Sequence, residues 1–129
     1  MKNNRKKVMI LTNHSYMLYR FRKELIEELM KNYDVVLSMP FVGHHEDFIN
    51  MGLRCIETKM ERRGVNPIHD FSLMKFYKKI LQEENSDLVI TYSIKPNVYG
   101  GLMCEKLNIP FYANVQGLGT AFQKPGLAQ

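Results

Sequence analysis

Three short polar segments follow apolar runs in this sequence, and together they could bind an anionic ligand. They are TNHSY (12–16), SIKPN (93–97) and QGLGT (116–120). In the second segment, Lys95 supplies a full charge just before a helix that we predict over residues 97–107. The first amides of a helix are unpaired donors that favour an anion. The pattern fits a phosphate site, or else Pro96 and Asn97 merely start a helix and Lys95 is solvated.

The other two segments offer hydrogen-bonding groups and close backbone approach. Asn13, His14 and Ser15 follow an apolar run without any glycine, which argues against a nicotinamide or flavin dinucleotide fingerprint. His14 could act as an acid, a base or a hydrogen-bond donor near neutral pH, or could simply pack the loop. Gly117 and Gly119 would let the backbone approach a ligand, or would form an ordinary turn.

Alternating apolar runs and helical patterns must position these segments. We predict strands at 8–11, 35–37, 53–56, 88–92 and 111–115. Between them we predict four helices. The first has Leu18, Phe21, Leu25 and Leu29 on its inner stripe, and the second covers 45–51 and is followed by Gly52. The third is capped by Asp70 and has Leu73, Tyr77, Ile80 and Leu81 inside, and the fourth is the helix 97–107, ended by Asn108. The fold class is therefore α/β, a Rossmann-like doubly wound parallel sheet in the order 3-2-1-4-5. Its ligands should bind between the carboxyl ends of strands 1 and 4.

Composition limits the class of protein. The chain has 129 residues, 45% hydrophobic and 24% charged, which indicates one soluble globular domain. No apolar run approaches the roughly 18 residues of a membrane span, and the basic start does not resemble a signal peptide, so we expect a cytoplasmic location. Cys55 and Cys104 have no metal-ligand spacing, and we expect them to be buried and reduced.

The net charge of +5 fits nucleic acid, an anionic membrane surface or a phosphorylated ligand. We find no nucleic-acid-binding signature, and we expect no metal site at the cluster 44–47 (HHED), because neighbouring residues on a helix do not share a face. Four arginines are candidates for membrane or acceptor contact: Arg20, Arg22, Arg62 and Arg63. The protein could accordingly be peripheral on the inner face of the cell membrane.

From RRGV to GTAF (62–122), and over nearly the whole chain, the sequence resembles the N-terminal domain of family 4 glycosyltransferases, which have the GT-B fold. Within that family it is most similar to bacterial enzymes of capsular polysaccharide, exopolysaccharide and lipid-linked oligosaccharide synthesis. The most specific motifs are SIKPNVYGG (93–101) and GLGTAF (117–122).

The resemblance implies two Rossmann-like domains that face each other across a cleft. Residues 1–129 would form the N-terminal, acceptor-side domain, with the C-terminal donor-binding domain missing. Such enzymes transfer a sugar with retention from a nucleotide-sugar, here a UDP-sugar, to a polyprenyl-diphosphate-linked or polysaccharide acceptor, and they need no metal or other cofactor. The chain alone would then be inactive. The alternative is a non-catalytic module that binds a phosphorylated ligand or a partner protein.

The resemblance also assigns residues to the cleft. Asn13, His14 and Ser15 would border the donor diphosphate and the acceptor, and Lys95 and Asn97 would line the cleft. The wall near the transferred sugar would be formed by Gln116, Gly117, Gly119 and Thr120. Gln116 stands where some relatives have a histidine, and an amide cannot exchange a proton at neutral pH. No catalytic residue is therefore assigned.

Overall fold

A five-stranded parallel sheet organises the chain. The computed structural model describes residues 5–60 and 66–114, apart from the side chains of Met17 and Phe21. The strands are β1 (Lys7–Leu11), β2 (Asp34–Met39), β3 (Arg54–Glu57), β4 (Leu88–Tyr92) and β5 (Phe111–Asn114). The helices are α1 (Ser15–Asn32), α2 (His45–Asn50), α3 (Pro67–Glu84) and α4 (Gly101–Leu107), with a π-helical turn (Pro96–Gly100) leading into α4. The strand order is β3-β2-β1-β4-β5, which confirms the predicted topology.

Helices cover both faces of the sheet, so the central strands are buried on both sides. Val8 and Ile10 of β1 pack in one core with Leu18, Ile26 and Phe48 of α1 and α2. The alternate residues Met9 and Leu11 pack in a second core with Leu73, Tyr77 and Leu81 of α3 and with Cys104 of α4. This is the doubly wound arrangement expected from the alternation of elements.

The inner stripe of α1 differs from the prediction. Leu25 is 41% exposed, and Ile26 is fully buried in its place. Leu18 and Ile26 are separated by eight residues, or two α turns, and Leu29 follows three residues later and packs against the same core. Leu18 and Leu29 of the predicted stripe therefore face the core, and Ile26 takes the place predicted for Leu25.

The start of α3 also differs from the prediction, because Asp70 is not its cap. Asn66 occupies the cap position, and its Oδ1 accepts a hydrogen bond from the backbone N–H of His69 at 3.2 Å. Pro67 then takes the first helical position, where its missing N–H costs nothing. Asp70 consequently lies inside the first turn, where it is buried.

Two predicted helix ends are confirmed. Gly52, just past α2, has φ of +101°, and Asn108, just past α4, has φ of +61°. Both residues adopt the left-handed conformation that ends a helix and that glycine and asparagine tolerate best. In the described part of the chain, no helix is long and apolar enough to cross a bilayer.

Gly100 and Gly101 bring the π turn and α4 close to the sheet. A Cβ at Gly100 would lie 2.6 Å from Cδ1 of Leu11, and a Cβ at Gly101 would lie 2.9 Å from the Phe111 ring. In the structure the approach is between this helix and strands β1 and β5.

Candidate functional site

The loops after β1 and β4 meet at the carboxyl edge of the sheet. Leu11 pairs with Thr91 at the ends of these neighbouring strands, so the chain leaves both strands side by side. Beyond them, the Ser93 hydroxyl donates a hydrogen bond to Oδ1 of Asn13 at 2.9 Å. The convergence predicted for the first two polar segments is therefore observed. We call this edge, residues 12–15 and 93–97, the rim.

The third predicted segment cannot be compared in the same way. Gln116, Gly117, Gly119 and Thr120 lie outside the described residues, as do Arg62 and Arg63. Their assignment to the cleft wall and to membrane or acceptor contact stays a prediction.

Ser93 has an unusual backbone conformation at the rim. Its φ is +81°, in the left-handed region that costs a residue with a Cβ about 1–2 kcal/mol. Strain of this kind persists only where the surroundings enforce it, and it concentrates at functional sites. This conformation was not predictable from the sequence, because serine is not a residue that marks positive φ.

Ser15 is fully buried and organises the loop that follows β2. Its hydroxyl donates to the carbonyl of Val42 at 2.8 Å and accepts from the backbone N–H of His44 at 2.6 Å. Gly43 lies between them with φ of +94°, and a Cβ there would be 2.9 Å from Ser15 Oγ. Ser15 thus supports the shape of the rim, with its own proton committed to Val42.

Lys95 is not an open cation. Its Nζ lies 2.9 Å from Oδ1 of Asp70, and Tyr99 donates its hydroxyl proton to Oδ2 of the same carboxylate at 3.0 Å. The hydrogen bond from Lys95 lowers the pKa of Asp70; burial opposes this effect, and the Tyr99 hydroxyl adds to it. The hydrogen bond to Asp70 in turn raises the pKa of Tyr99. The sequence left this ammonium group either beside an anionic ligand or solvated; the structure pairs it with a buried carboxylate, which corrects the predicted surroundings of Lys95.

The helix after β4 starts earlier than predicted. Residues 94 and 95 are already helical, and the N–H of Asn97 is bonded to the carbonyl of Ser93 at 2.9 Å. The helix then widens into the π turn at Pro96–Gly100, a feature often found at functional sites. The amides at the start of the helix are therefore those of Ile94 and Lys95, not the amide of Asn97.

Asn97 ties together the ends of β4 and β5. Its Oδ1 accepts from the hydroxyl of Thr91 at 2.6 Å, and its Nδ2 donates to the carbonyl of Asn114 at 2.7 Å. Asn114 returns a bond from its own Nδ2 to the carbonyl of Thr91 at 3.3 Å. These three residues hold together the carboxyl ends of β4 and β5. Sequence reasoning singled out Asn97 but not Thr91 or Asn114.

The remaining predicted residues lie around α1. His14 is partly buried just before the helix, and its carbonyl accepts from the Thr12 hydroxyl at 3.2 Å. The Arg20 guanidinium lies 5.3 Å from the centre of the Tyr16 ring and donates to the Tyr16 hydroxyl at 2.9 Å. The Arg22 guanidinium lies 5.8 Å from the ring centre of Tyr92, a buried residue. Arg20 is thus on the surface, whereas Arg22 turns toward the sheet.

His44, the first residue of the cluster 44–47, lies in the same region. Its Nδ1 lies 2.7 Å from Oδ2 of Asp47, and its ring stacks on Tyr19 with centroids 4.4 Å apart. Among the described residues there is no group of three or more His, Cys, Asp or Glu side chains that could hold a metal ion.

Comparison with known proteins gives a sequence relative that covers almost the whole chain. No family model matches. The chain is 25% identical over 122 residues to N,N'-diacetylbacillosaminyl-diphospho-undecaprenol alpha-1,3-N-acetylgalactosaminyltransferase from Campylobacter jejuni. That match covers 93% of this chain and 32% of the relative. The resemblance to glycosyltransferases is confirmed. The chain spans about a third of the length of this relative.

Solved structures of similar fold include a further glycosyltransferase. A glycosyltransferase from Rickettsia africae matches with a TM-score of 0.68 and 17% identity, over 90% of this chain and 32% of its own. MurG from Acinetobacter baumannii matches with a TM-score of 0.66 and 14% identity, over 84% of this chain and 34% of its own. At these identities the likeness is one of fold, and it confirms the predicted class, a Rossmann-like sheet of the kind found in the N-terminal half of GT-B enzymes.

Proposed function

We propose that this chain is the acceptor-side domain of a retaining glycosyltransferase. The enzyme would move a sugar from a nucleotide-sugar, most simply a UDP-sugar, to a lipid-linked or polysaccharide acceptor. The observation that carries the proposal is the hydrogen bond from Ser93 to Asn13, which joins the loops that follow β4 and β1. It lies at the switch point of the sheet, where such folds bind ligands. The similarity to a transferase over 93% of the chain supports the same conclusion.

The rim supplies polar groups that are already held in place. Asn13 is fixed by Ser93, and Asn97 is fixed by Thr91 and Asn114. A preorganised polar wall stabilises developing charge without reorganising during the reaction. Lys95 contributes through the position of its backbone at the helix start, since Asp70 holds its ammonium group. In the proposed enzyme, the donor-binding domain forms the opposite wall and excludes water from the leaving diphosphate.

The alternative, a non-catalytic module that binds a phosphorylated ligand or a partner protein, rested on the same helix start. The ion pair between Lys95 and Asp70 occupies the cation on which phosphate binding would depend. The similarity to a transferase over 93% of the chain favours the transferase.

The proposal is tested with a longer protein that joins this chain to a donor-binding domain. With UDP-sugars and an undecaprenyl-diphosphate-linked acceptor, we expect metal-independent transfer in the presence of EDTA and a product whose anomeric configuration is that of the donor. Residues 1–129 alone should show no transfer. Turnover by residues 1–129, or inversion by the longer protein, would contradict the proposal.

We also propose that the start of α3 binds the membrane surface. Ile68 and Phe71 are 76% and 58% exposed, and the Nζ of Lys75 lies 5.6 Å from the Phe71 ring centre. Exposed apolar side chains next to a basic residue are typical of an interfacial helix. Arg62 and Arg63 precede this helix in the sequence, and each surface cation contributes about 1 kcal/mol at an anionic membrane.

Co-sedimentation with vesicles tests this contact. Binding should rise with the phosphatidylglycerol content and should fall in the double variant Ile68→Ser, Phe71→Ser. Val42→Ser is the matched control, because Val42 is 71% exposed and lies after β2 at a distance in sequence from α3. Equal loss in both variants would argue against a specific role for α3.

A further inference from the structure

A cavity of about 550 Å³ opens beside α3, outside the rim. Among the described residues, those that line it are Glu57, Lys59, Met60, His69, Ser72, Leu73 and Phe76. Its volume is within the range of about 300–1,000 Å³ that small-molecule sites occupy. Neither the predicted cleft residues nor the predicted membrane contacts include any of these positions.

The lining divides into an apolar part and a polar part. Leu73 is buried, and Met60 and Phe76 are partly buried; these three residues supply the apolar lining, which we call the inner surface. Glu57, Lys59, His69 and Ser72 are exposed residues and supply the polar lining, which we call the mouth. The cavity thus combines a hydrocarbon surface with a carboxylate, an ammonium, an imidazole and a hydroxyl.

The cavity lies at the same edge of the sheet as the rim. Glu57 is the last residue of β3, and it pairs with Met39 at the end of β2. The next residue, Thr58, donates its N–H to the Met39 carbonyl at 2.9 Å, which fixes the segment that carries Lys59 and Met60. On the other side, Asp70 follows His69 directly in α3 and binds Lys95 of the rim. The first turn of α3 is therefore shared by the cavity and the rim.

We propose that this cavity binds a sugar unit of the acceptor, an inference that rests on the proposed transferase function. A pyranose ring has hydroxyl groups around its edge and a face of C–H groups. Glu57 can accept from sugar hydroxyls, Ser72 can donate and accept, and Phe76 and Met60 suit the C–H face or an N-acetyl methyl group.

Two other occupants suit the lining less well. A diphosphate would be repelled by Glu57 as well as attracted by Lys59, and it has no group that suits the apolar side chains of Leu73 and Phe76. A hydrocarbon chain would remove water from Glu57 and Lys59 without replacing their hydrogen bonds, which is costly for charged groups. A sugar satisfies both the polar mouth and the apolar inner surface.

Binding by residues 1–129 is measured by amide chemical shifts in ¹⁵N-labelled protein. The probes are the methyl glycosides of N-acetylglucosamine, N-acetylgalactosamine and glucose, and farnesyl phosphate serves as the lipid probe. We expect saturable shifts for at least one glycoside, confined to residues 57–60 and 69–76. Ser72→Phe should abolish them by filling the mouth, whereas Gln82→Phe should retain them, because Gln82 is also exposed on α3 but does not line the cavity.

Three results would overturn the inference: no saturable shift with any glycoside, shifts centred on Asn13 and Ser93, or shifts at the cavity with farnesyl phosphate only. In the longer protein, Ser72→Phe should raise the KM for the acceptor about tenfold or more and leave the KM for the nucleotide-sugar unchanged. Transfer by the Ser72→Phe variant with an unchanged KM for the acceptor would reject the cavity as the acceptor site without contradicting the proposed transferase function. Absence of transfer by the unsubstituted longer protein would instead reject the proposed function.

Discussion

Lys95 and Asp70 form an ion pair of 2.9 Å in which both side chains are only 9% exposed. The two residues are 25 positions apart, and their pair fastens the first turn of α3 to the helix that follows β4. Tyr99, one helical turn beyond Lys95, binds the second carboxylate oxygen. Through this carboxylate, the position of α3 determines where the rim segment 93–97 lies.

Asp70→Asn should destabilise the fold strongly at neutral pH, because it leaves the buried ammonium of Lys95 without a counter-charge. The pKa of Asp70 is lowered in the folded state, so its contribution is present above the ordinary pKa of the carboxyl group and is lost as the pH falls toward the folded value. Urea denaturation should therefore show a larger difference between variant and wild type at pH 7 than at pH 3.

The exposed pair of Glu28 and Lys31 provides the control for this prediction. Its side chains are 70% and 67% exposed at a distance of 2.9 Å. Glu28→Gln should cost at most about 0.5 kcal/mol at pH 7, as is usual for exposed ion pairs. Equal effects of the two substitutions would show that the Asp70 pair is solvated.

Ser15→Ala should lower the free energy of unfolding by about 2 kcal/mol, since it leaves the Val42 carbonyl and the His44 amide without their partner. Ser86→Ala is the matched control. Ser86 is also buried, and in the described part of the chain its hydroxyl has no hydrogen-bond partner. Its removal should be neutral or stabilising. Thermal and urea denaturation of both variants measure the difference.

Ser93→Gly should be more stable than Ser93→Ala by about 1 kcal/mol, because only glycine adopts positive φ without strain. Both variants lose the hydrogen bond to Asn13, so the comparison isolates the backbone conformation. If alanine proved equal to glycine, φ at this position would not be positive in solution. Chemical denaturation midpoints decide between the two outcomes.

Gly100→Ala should destabilise the fold by about 2 kcal/mol, because the added methyl group overlaps Cδ1 of Leu11. Leu11→Val removes that Cδ1 atom. The double variant should therefore lose less stability than the sum of the two single variants, a non-additivity expected only for residues in contact. Strict additivity in urea denaturation would contradict the observed packing.

Neither cysteine should react quickly with a thiol reagent at neutral pH. Burial raises the pKa of Cys104 to about 12 and that of Cys55 to about 11, and the neighbouring Glu105 adds to the effect at Cys104. The thiolate is the reactive form, so labelling should be slow in native protein and complete in urea. Rapid labelling of Cys104 without denaturant would show that α4 opens readily.

The sheet was predictable because its signals are local. Apolar runs such as 8–11 and 88–92 alternate with helical patterns, and right-handed crossovers then leave one simple strand order. The partner of Lys95 was not predictable, because Asp70 is distant in the chain and looked like a helix cap. Asp70 lies in the first turn because Asn66 takes the cap position and Pro67 takes the first helical position.

The rim was predictable in position but less so in detail. Strand ends placed Asn13 and Ser93 on the same edge, whereas the positive φ of Ser93 depends on tertiary contacts that no short pattern records. The sequence predicted a helix from residue 97, whereas in the structure residues 94 and 95 are already helical and Pro96 follows them.

The π turn at Pro96–Gly100 has a consequence for sequence length in this region. It contains one residue more than an α turn, and one residue corresponds to a rotation of about 100° around a helix. Lys95 precedes the turn and faces α3, while Gly100 and Gly101 end it and face the sheet. Deleting a single residue between Lys95 and Gly100 would restore a regular helix, but either the lysine or the glycine pair would then lose its orientation. We therefore expect this segment to tolerate substitutions better than insertions or deletions.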